Sequence, residues 1–285
     1  MWGGTLSLKR GGRLEPSQVN QPRLTRLMTA DPAVIDAIYR YPVKGLSPQP
    51  LERAALAKGG TLPADRLYAI ENGPSGFDPA APAYFPKQRF LMLMRNERLA
   101  ALRTDYDEAS HTLSIQWEGR AAARGDLRSK EGRLAIEAFF RRFMPKELRG
   151  PPKVLFGEGH SFSDVAKKVV SIINLASVAA VENAAGAAVH PLRFRGNIYV
   201  SGWPAWHEFG LLDREITVGG ARLKAVKRIQ RCAATEVDPD TGIRDLAVPR
   251  TLMDNFGHAD CGVYAEVIGT GEIAVGDSIK ETAGG

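Results

Sequence analysis

Two runs near the C-terminus constrain the fold most. REITVGGARLKAVKRI (214–229) alternates apolar and polar residues on both sides of Gly219-Gly220. That is the pattern of a half-buried strand, a two-residue turn and a second strand. CGVYAEVIGTGEIAVGDSIKE (261–281) repeats it: Val263, Ala265 and Val267, a Gly-Thr-Gly turn, then Ile273 and Val275. Short strands joined by glycine turns point to a barrel-like architecture rather than a helical bundle.

The rest of the chain agrees. VIDAIYRYPVKGLSPQPLERAAL reads as a strand, a loop broken by Pro and Gly, and another strand. DRLYAIEN has the alternation of a half-buried strand, and GPSGFDPAAPAYFPKQ is a loop. HTLSIQWEG puts Leu113, Ile115 and Trp117 on one strand face, ended by Glu118-Gly119. GRLAIEAFFRRFM spaces Ile136, Phe139, Phe140 and Phe143 as an amphipathic helix, with Pro145 beyond it. RGPPKV (149–154) is the expected linker between residues 31–150 and 151–285. INLASVAAVENAAG, with Leu175, Val178 and Ala179 at helical spacing, gives a second helix stopped by Gly186. RGNIYVSG is a short strand.

The net charge of +6 is unevenly placed. Residues 1–30 carry +4 and the other 255 only +2, so the charge makes no case for nucleic-acid binding. The basic segment has no clear periodicity and is expected to be a disordered or extended tail, with Met28 as a second possible start. Pro16, Pro22 and its glycines interrupt any amphipathic targeting helix. No run of 18 or more apolar residues is present, so no membrane span is expected. Two cysteines, Cys232 and Cys261, are too few for a disulfide framework or for an iron–sulfur cluster with about four thiolate ligands. A reducing, cytoplasmic location follows as the expectation.

Cys232 sits in RCAATEVDPDTG, close to Lys227, Arg228 and Arg231. Neighbouring positive charge favours a thiolate, the form that binds metal or attacks. Asp238-Pro239 and Gly242 supply a compact turn to fix it. A lone cysteine in a β-rich chain is more often a small buried apolar residue, and that is the reading for Cys261. His190, His207 and His258 have no metal-ligand spacing.

RCAATEVDPDTG closely resembles the signature of the MOSC domain, named for the C-terminal part of molybdenum cofactor sulfurases. YRYPVKGL and DRLYAI resemble the β-barrel module that precedes that domain. RFRGNIYVSG, WHEF, REITVGGARLKAV and GVYAEVIGTGEIAVGD follow in the family's order. The resemblance spans roughly residues 33–280, and the nearest functional relatives would be the amidoxime-reducing MOSC enzymes. It implies a β-rich α+β fold: a MOSC barrel, an N-terminal barrel module intertwined with it, and a few helices.

The resemblance also implies a molybdenum cofactor of molybdopterin type, with Cys232 as the metal's thiolate ligand and the catalytic residue. Lys44, Arg66, Arg195, Asn197 and Arg231 match the family's phosphate- and pterin-binding positions. Tyr264 matches an aromatic near the metal, and Asp164 and Ser171 are candidate further contacts. Each has a plain structural reading too: a solvated loop lysine, a surface ion pair, turn chemistry, a core tyrosine, a cap. Gly45 and Gln230 stand where reducing relatives carry serine, and Gly196 where they carry proline. The implied activity is reduction of small N-oxygenated compounds, fed by a separate flavoprotein, iron–sulfur or haem protein. A carrier of cofactor or of persulfide sulfur is the alternative, and a thiol hydrolase pairing Cys232 with His258 ranks last.

Overall fold

The computed structural model describes residues 33–281, so the N-terminal segment 1–30 lies outside the described residues. The first part contains β1 (Val34–Arg40), β2 (Gln49–Leu51), β3 (Arg53–Leu56) and β4 (Tyr68–Asn72). After a long loop come β5 (Leu102–Asp107), β6 (Thr112–Trp117), β7 (Arg120–Asp126), helix α1 (Lys130–Phe143) and β8 (Pro152–Phe156). The second part runs through β9 (Val170–Asn174), α2 (Leu175–Ala185), β10 (Ile198–Ser201), β11 (Glu215–Val218) and β12 (Ala221–Gln230). It ends with α3 (Val248–Phe256), β13 (Asp260–Gly269), β14 (Gly271–Ala274) and β15 (Ile279–Glu281). Among the described residues no helix is long and apolar enough to cross a membrane.

One eight-stranded curled sheet organises the molecule, in the order β15-β11-β12-β13-β9-β10-β1-β2. β9 and β10 are parallel, and α2 makes the crossover between them. The two outermost strands at one end, β1 and β2, come from the first part of the chain. β14 returns the exchange by pairing with β3. The inner face of the sheet buries Ile35, Ile38, Ile172, Ile198, Leu223 and Val263 in one core.

The expected hairpin at Gly219-Gly220 is present, with Val218 opposite Ala221. Its twin at Gly269-Thr270-Gly271 is not a hairpin. β14 leaves β13, crosses the β11–β12 turn and pairs with β3. Glu272 O accepts from Gly220 N at 2.8 Å, and a side chain on Gly271 would collide with the Gly220 backbone. The glycines there serve a close approach of backbones. The expected linker also proves structural: residues 152–156 form β8, which pairs with β4. β4 itself is covered on both faces, since Tyr68 and Ile70 enter one core and Ala69 another.

α1 covers the β5-β6-β7 sheet. Ser129 caps it by accepting from Gly132 N at 2.9 Å. Ile136, Phe139, Phe140 and Phe143 are all buried, each worth about 1.5–3 kcal/mol. In α2, Val178 and Val181 face inward, whereas Ala179 is exposed. Gly186 ends α2 at φ 64°, as its position in the sequence suggests.

Gly132 of α1 lies against the β7 backbone so closely that any side chain there would strike Asp126. Alanine would gain up to about 1 kcal/mol in helix propensity, but overpacking costs about 1–3 kcal/mol. Gly132→Ala is therefore expected to lower the melting temperature in a thermal scan. An unchanged or higher value would contradict the packing described.

Candidate functional site

A cleft opens where the first and second parts of the chain meet. Its empty volume is about 1210 Å³, including open solvent at the mouth. All nine residues singled out from the sequence line it: Lys44, Arg66, Asp164, Ser171, Arg195, Asn197, Arg231, Cys232 and Tyr264. Of its lining residues, eight are Lys or Arg and two are Asp.

Lys44 enters from the turn after β1. Val43 forms a bridge with Tyr68, and Lys44 N donates to Tyr68 O at 2.8 Å. Gly45 turns the chain at φ 84°, a conformation that makes serine costly there. The Lys44 side chain is 5% exposed. Its Nζ donates to Phe162 O at 2.8 Å and to the Asp164 carboxylate. Burial pushes the Lys44 ammonium down, and Asp164 offsets only part of that.

Asp164 also faces Lys87, with Nζ 3.5 Å from Oδ2. Burial would raise its carboxyl, but Lys44, Lys87 and Arg66 together hold it well below the usual carboxylate range. Lys87 Nζ reaches on to the Cys232 Sγ at 3.3 Å. Burial acts to lower the Lys87 ammonium, yet Asp164 and Cys232 outweigh it and hold it above its ordinary value.

Arg66 and Arg195 share one small space. Both adopt left-handed backbone, at φ 52° and 49°, and their guanidinium carbons lie 4.7 and 4.3 Å from the Tyr41 ring centre. Arg66 pairs with Asp65 and donates to Arg195 O at 3.1 Å. Arg195 donates to Leu46 O at 2.9 Å. Burial, with Arg66 adding to it, pushes the Arg195 guanidinium down.

Asn197 and Ser171 lock each other. Asn197 Oδ1 accepts from Ser171 N at 3.1 Å and from Ser171 Oγ at 2.8 Å, while Asn197 N donates back to Ser171 Oγ at 2.9 Å. Tyr264, on β13 opposite Ser171, has its hydroxyl pushed up by burial.

Cys232 lies just past β12 and is half-buried. Its carbonyl accepts from Thr235 N and Oγ1 at 3.0 and 2.9 Å, which tightens the turn after it. Asp238 Oδ1 then accepts from the amides of Asp240 and Thr241 at 3.0 and 2.8 Å, closing the acidic turn. Two arginines hold this loop. Arg193, buried, pairs with Asp238 and Asp245 at 3.1 and 2.8 Å and donates to Glu236 O at 3.0 Å. Arg244 donates to Ala233 O at 2.6 Å and reaches across to Leu93 O and Met94 O at 3.0 and 2.9 Å.

The cations expected beside the thiol are used differently. Arg228 lies 4.3 Å from the Phe209 ring centre. Arg231 commits one donor from each guanidinium nitrogen to the carbonyls of Cys261 and Phe194, which leaves two of its five N–H groups for the cleft. The ammonium at the thiol is that of Lys87, which sits in a stretch read only as loop. Lys87, Arg193 and Arg244 were all missed, and only the RFRGN stretch around Arg193 carried a signal. Cys261 is fully buried with its thiol pushed up to about 12 by that burial, as expected of a structural residue. His258 packs against Trp206 and Phe209 and does not line the cleft.

The model of the MOSC N-terminal beta barrel domain matches residues 32–142, and that of the MOSC domain matches residues 152–280. The chain belongs to the MOSC-domain family. This MOSC protein is 30% identical over 124 residues to mitochondrial amidoxime reducing component 2 of Bos taurus, covering 39% of this chain and 36% of that one. It is 29% identical over 120 residues to mitochondrial amidoxime-reducing component 1 of Homo sapiens, covering 38% and 35%. The chain thus spans about a third of the length of these relatives. The YUAD protein from Bacillus subtilis superposes with a TM-score of 0.38 at 12% identity over 87% of this chain and 93% of that one, too remote to bear on the site.

The depressed Asp164 carboxyl has a consequence for acid stability. Its ionised form stabilises the fold at neutral pH, and that contribution disappears as pH falls through its folded-state value. Asp164→Asn should lower stability most near pH 7, with the gap to wild type closing on acidification. Urea melts from about pH 7 to about pH 2, with the gap closing mainly below about pH 4, check this; a gap that widens toward acid would refute it.

Proposed function

We propose that the cleft holds a molybdenum cofactor of the pterin type and that the protein reduces small N-oxygenated compounds, such as N-hydroxylated amidines or hydroxylamines. One observation carries the reading: a half-buried thiol, Cys232, faces a cleft with eight cations against two carboxylates. The family and the amidoxime-reducing names of its relatives support it.

The residues suit such a group. Arg66 and Arg195 are held together over Tyr41 at an electrostatic cost that an anion would relieve. A phosphate accepts arginine forks and lysine point charges, which Arg66, Arg195, Arg231 and Lys44 would supply. Asn197 and Ser171 would present polar edges to the pterin, with Asp164 setting the positions of Lys44 and Lys87. Cys232 would be the thiolate ligand to molybdenum, a soft donor for such a metal, and Tyr264 would stand beside it. Among the described residues no group of three or more His, Cys, Asp or Glu can hold a metal ion, so the metal would arrive with ligands of its own.

When bound, such a cofactor supplies the two-electron chemistry that removes oxygen from an N–O group. The chain's part is positional and protonic. Lys87 Nζ carries a firmly held proton 3.3 Å from the Cys232 Sγ, so it would hold the thiolate and donate hydrogen bonds into the cleft. The Tyr264 hydroxyl, kept protonated by burial, would be a second donor on the wall. Met92 and Leu93 line the cleft as well and would supply its apolar surface. Electrons would come from a separate redox protein, since the chain's two cysteines cannot bind a cluster.

Wild type and Cys232→Ala, purified from cells that make the cofactor, provide the test. Metal and pterin per chain are measured, together with amidoxime reduction driven by a reduced viologen. Wild type should carry both and turn over. The variant should keep pterin and lose more than about 100-fold in rate, beyond the cost of a lost outer-shell partner. A loaded wild type without turnover would favour the carrier role, and a wild type lacking pterin would remove the cofactor reading.

A further inference from the structure

The geometry points to Glu208 as a positioning residue for Arg231, acting through the one peptide group that joins Cys261 to Gly262. Glu208 belongs to the WHEF stretch (206–209), which lies outside the cleft. Its side chain is fully buried. Oε2 accepts from Asn174 Nδ2 at 2.9 Å and from Ser177 Oγ at 3.0 Å, and Oε1 accepts from Gly262 N at 3.3 Å. Ser177 Oγ itself accepts from Trp206 N at 2.8 Å, so its own proton is turned toward Glu208. Every contact is a donor aimed at the carboxyl group, the acceptor-only pattern of an ionised carboxylate. All three donors are neutral, although a buried charge without an opposite charge is costly. The N-terminus of α2, where Asn174 and Ser177 lie, answers part of it.

The rest is answered across a peptide. Cys261 O and Gly262 N belong to the same planar unit. Its N–H donates to Glu208, and its carbonyl accepts from Arg231 Nε at 2.8 Å and from Arg231 Nη2. A carboxylate on the N–H side polarises the unit and makes its carbonyl a stronger acceptor. Carboxylate, peptide and guanidinium thus form a relayed ion pair. The backbone is shaped for it. Gly262 has φ 81° and lies where the pairing of β12 with β13 is irregular, between Arg228 and Gln230. A side chain there would strike Ile172 O and press on the Arg231 guanidinium. Cys261 lies in the field of both charges: beyond the dominant effect of burial, Arg231 acts to lower its thiol and Glu208 to raise it.

The consequence lies in the cleft. Arg231 also donates through Nη1 to Phe194 O at 2.7 Å, and its two remaining N–H groups are left to meet an anion. Anchoring the guanidinium at Nε keeps its planar fork from turning, so the order that an anion needs is in place before it binds. This assignment rests on the reading of the cleft as an anion site and adds the residue that sets its arginine. Glu208 acts only through Arg231.

Glu208→Gln tests this, because an amide presents an acceptor to only one side, either Gly262 or the Asn174–Ser177 pair. The readout is the nuclear magnetic resonance of the Arg231 Nε–H group in the full chain without cofactor, assigned with Arg231→Lys. Its exchange with solvent should quicken at least about tenfold, the factor for one weakened hydrogen bond to a charged group. Glu208→Asp, one methylene too short to reach both sides, should act in the same direction and serves if the first variant folds poorly. Ser177→Ala removes a partner of Glu208 but not the Gly262 bond. It should lower the melting temperature and leave the Arg231 resonance in place, which separates positioning from general stability. Inorganic phosphate is the anion probe. Its Kd should weaken about tenfold in Glu208→Gln, and adding Glu208→Gln to Arg231→Lys should weaken it no further. Arg231 exchange within about twofold of wild type in both Glu208 variants, or losses that multiply in the double variant, would overturn the assignment. Phosphate that fails to bind even wild type, with Arg231 loosened as expected, would sustain the role of Glu208 and remove the anion reading instead.

Discussion

The pairing of β1 with β10 is the constraint from which the cleft is built. Ile38 lies opposite Ile198, and just past that pair Tyr39 N donates to Asn197 O at 2.7 Å while Asn197 Nδ2 donates to Tyr39 O at 3.1 Å. Lys44 lies on the chain that leaves β1, and Arg195 on the chain that enters β10. A slip of one residue would turn every side chain of β1 to the other face and carry the Lys44 turn with it. The buried row of Ile35 and Ile38 forbids that slip. Asn197, read from sequence as a cofactor contact, is thus first of all the lock that fixes this register.

The second constraint is charge. Lys44, Arg66 and Arg195 are withdrawn from water, and burial works against the charged form of each. Asp65 and Asp164 answer part of that charge, but eight basic side chains share the lining with these two acids. A fold selected for stability alone would leave such cations in solvent. Their concentration around one thiol is what supports the proposal of an anionic ligand there, with local structure conceding stability to function. Left-handed backbone at both Arg66 and Arg195 belongs to the same concession.

Much of this was legible in the sequence, for identifiable reasons. The Gly219-Gly220 turn, the Phe139/Phe140/Phe143 face of α1 and the stop at Gly186 are local signals, carried by neighbours in the chain. The nine cleft residues were readable because a motif names positions even where their distances cannot be known. What failed was long-range. Glycines at 269 and 271 signal a turn equally well whether the next strand folds back or crosses to β3. RGPPKV looks like a linker until β4 is there to pair with β8. α3 went unread because Pro249 opens it and only Val248 and Leu252 face the core. Lys87 meets Cys232 across 145 residues, and nothing in its own loop marks it.

The central claim is that Cys232 completes the coordination of a molybdenum ion held by this lining. X-ray absorption at the molybdenum edge tests it on the loaded protein, compared with Cys232→Ser. The account predicts a sulfur shell in wild type that loses one scatterer in the variant while the pterin stays bound. A sulfur shell identical in both proteins would show that the metal is not ligated by Cys232 and would contradict the account.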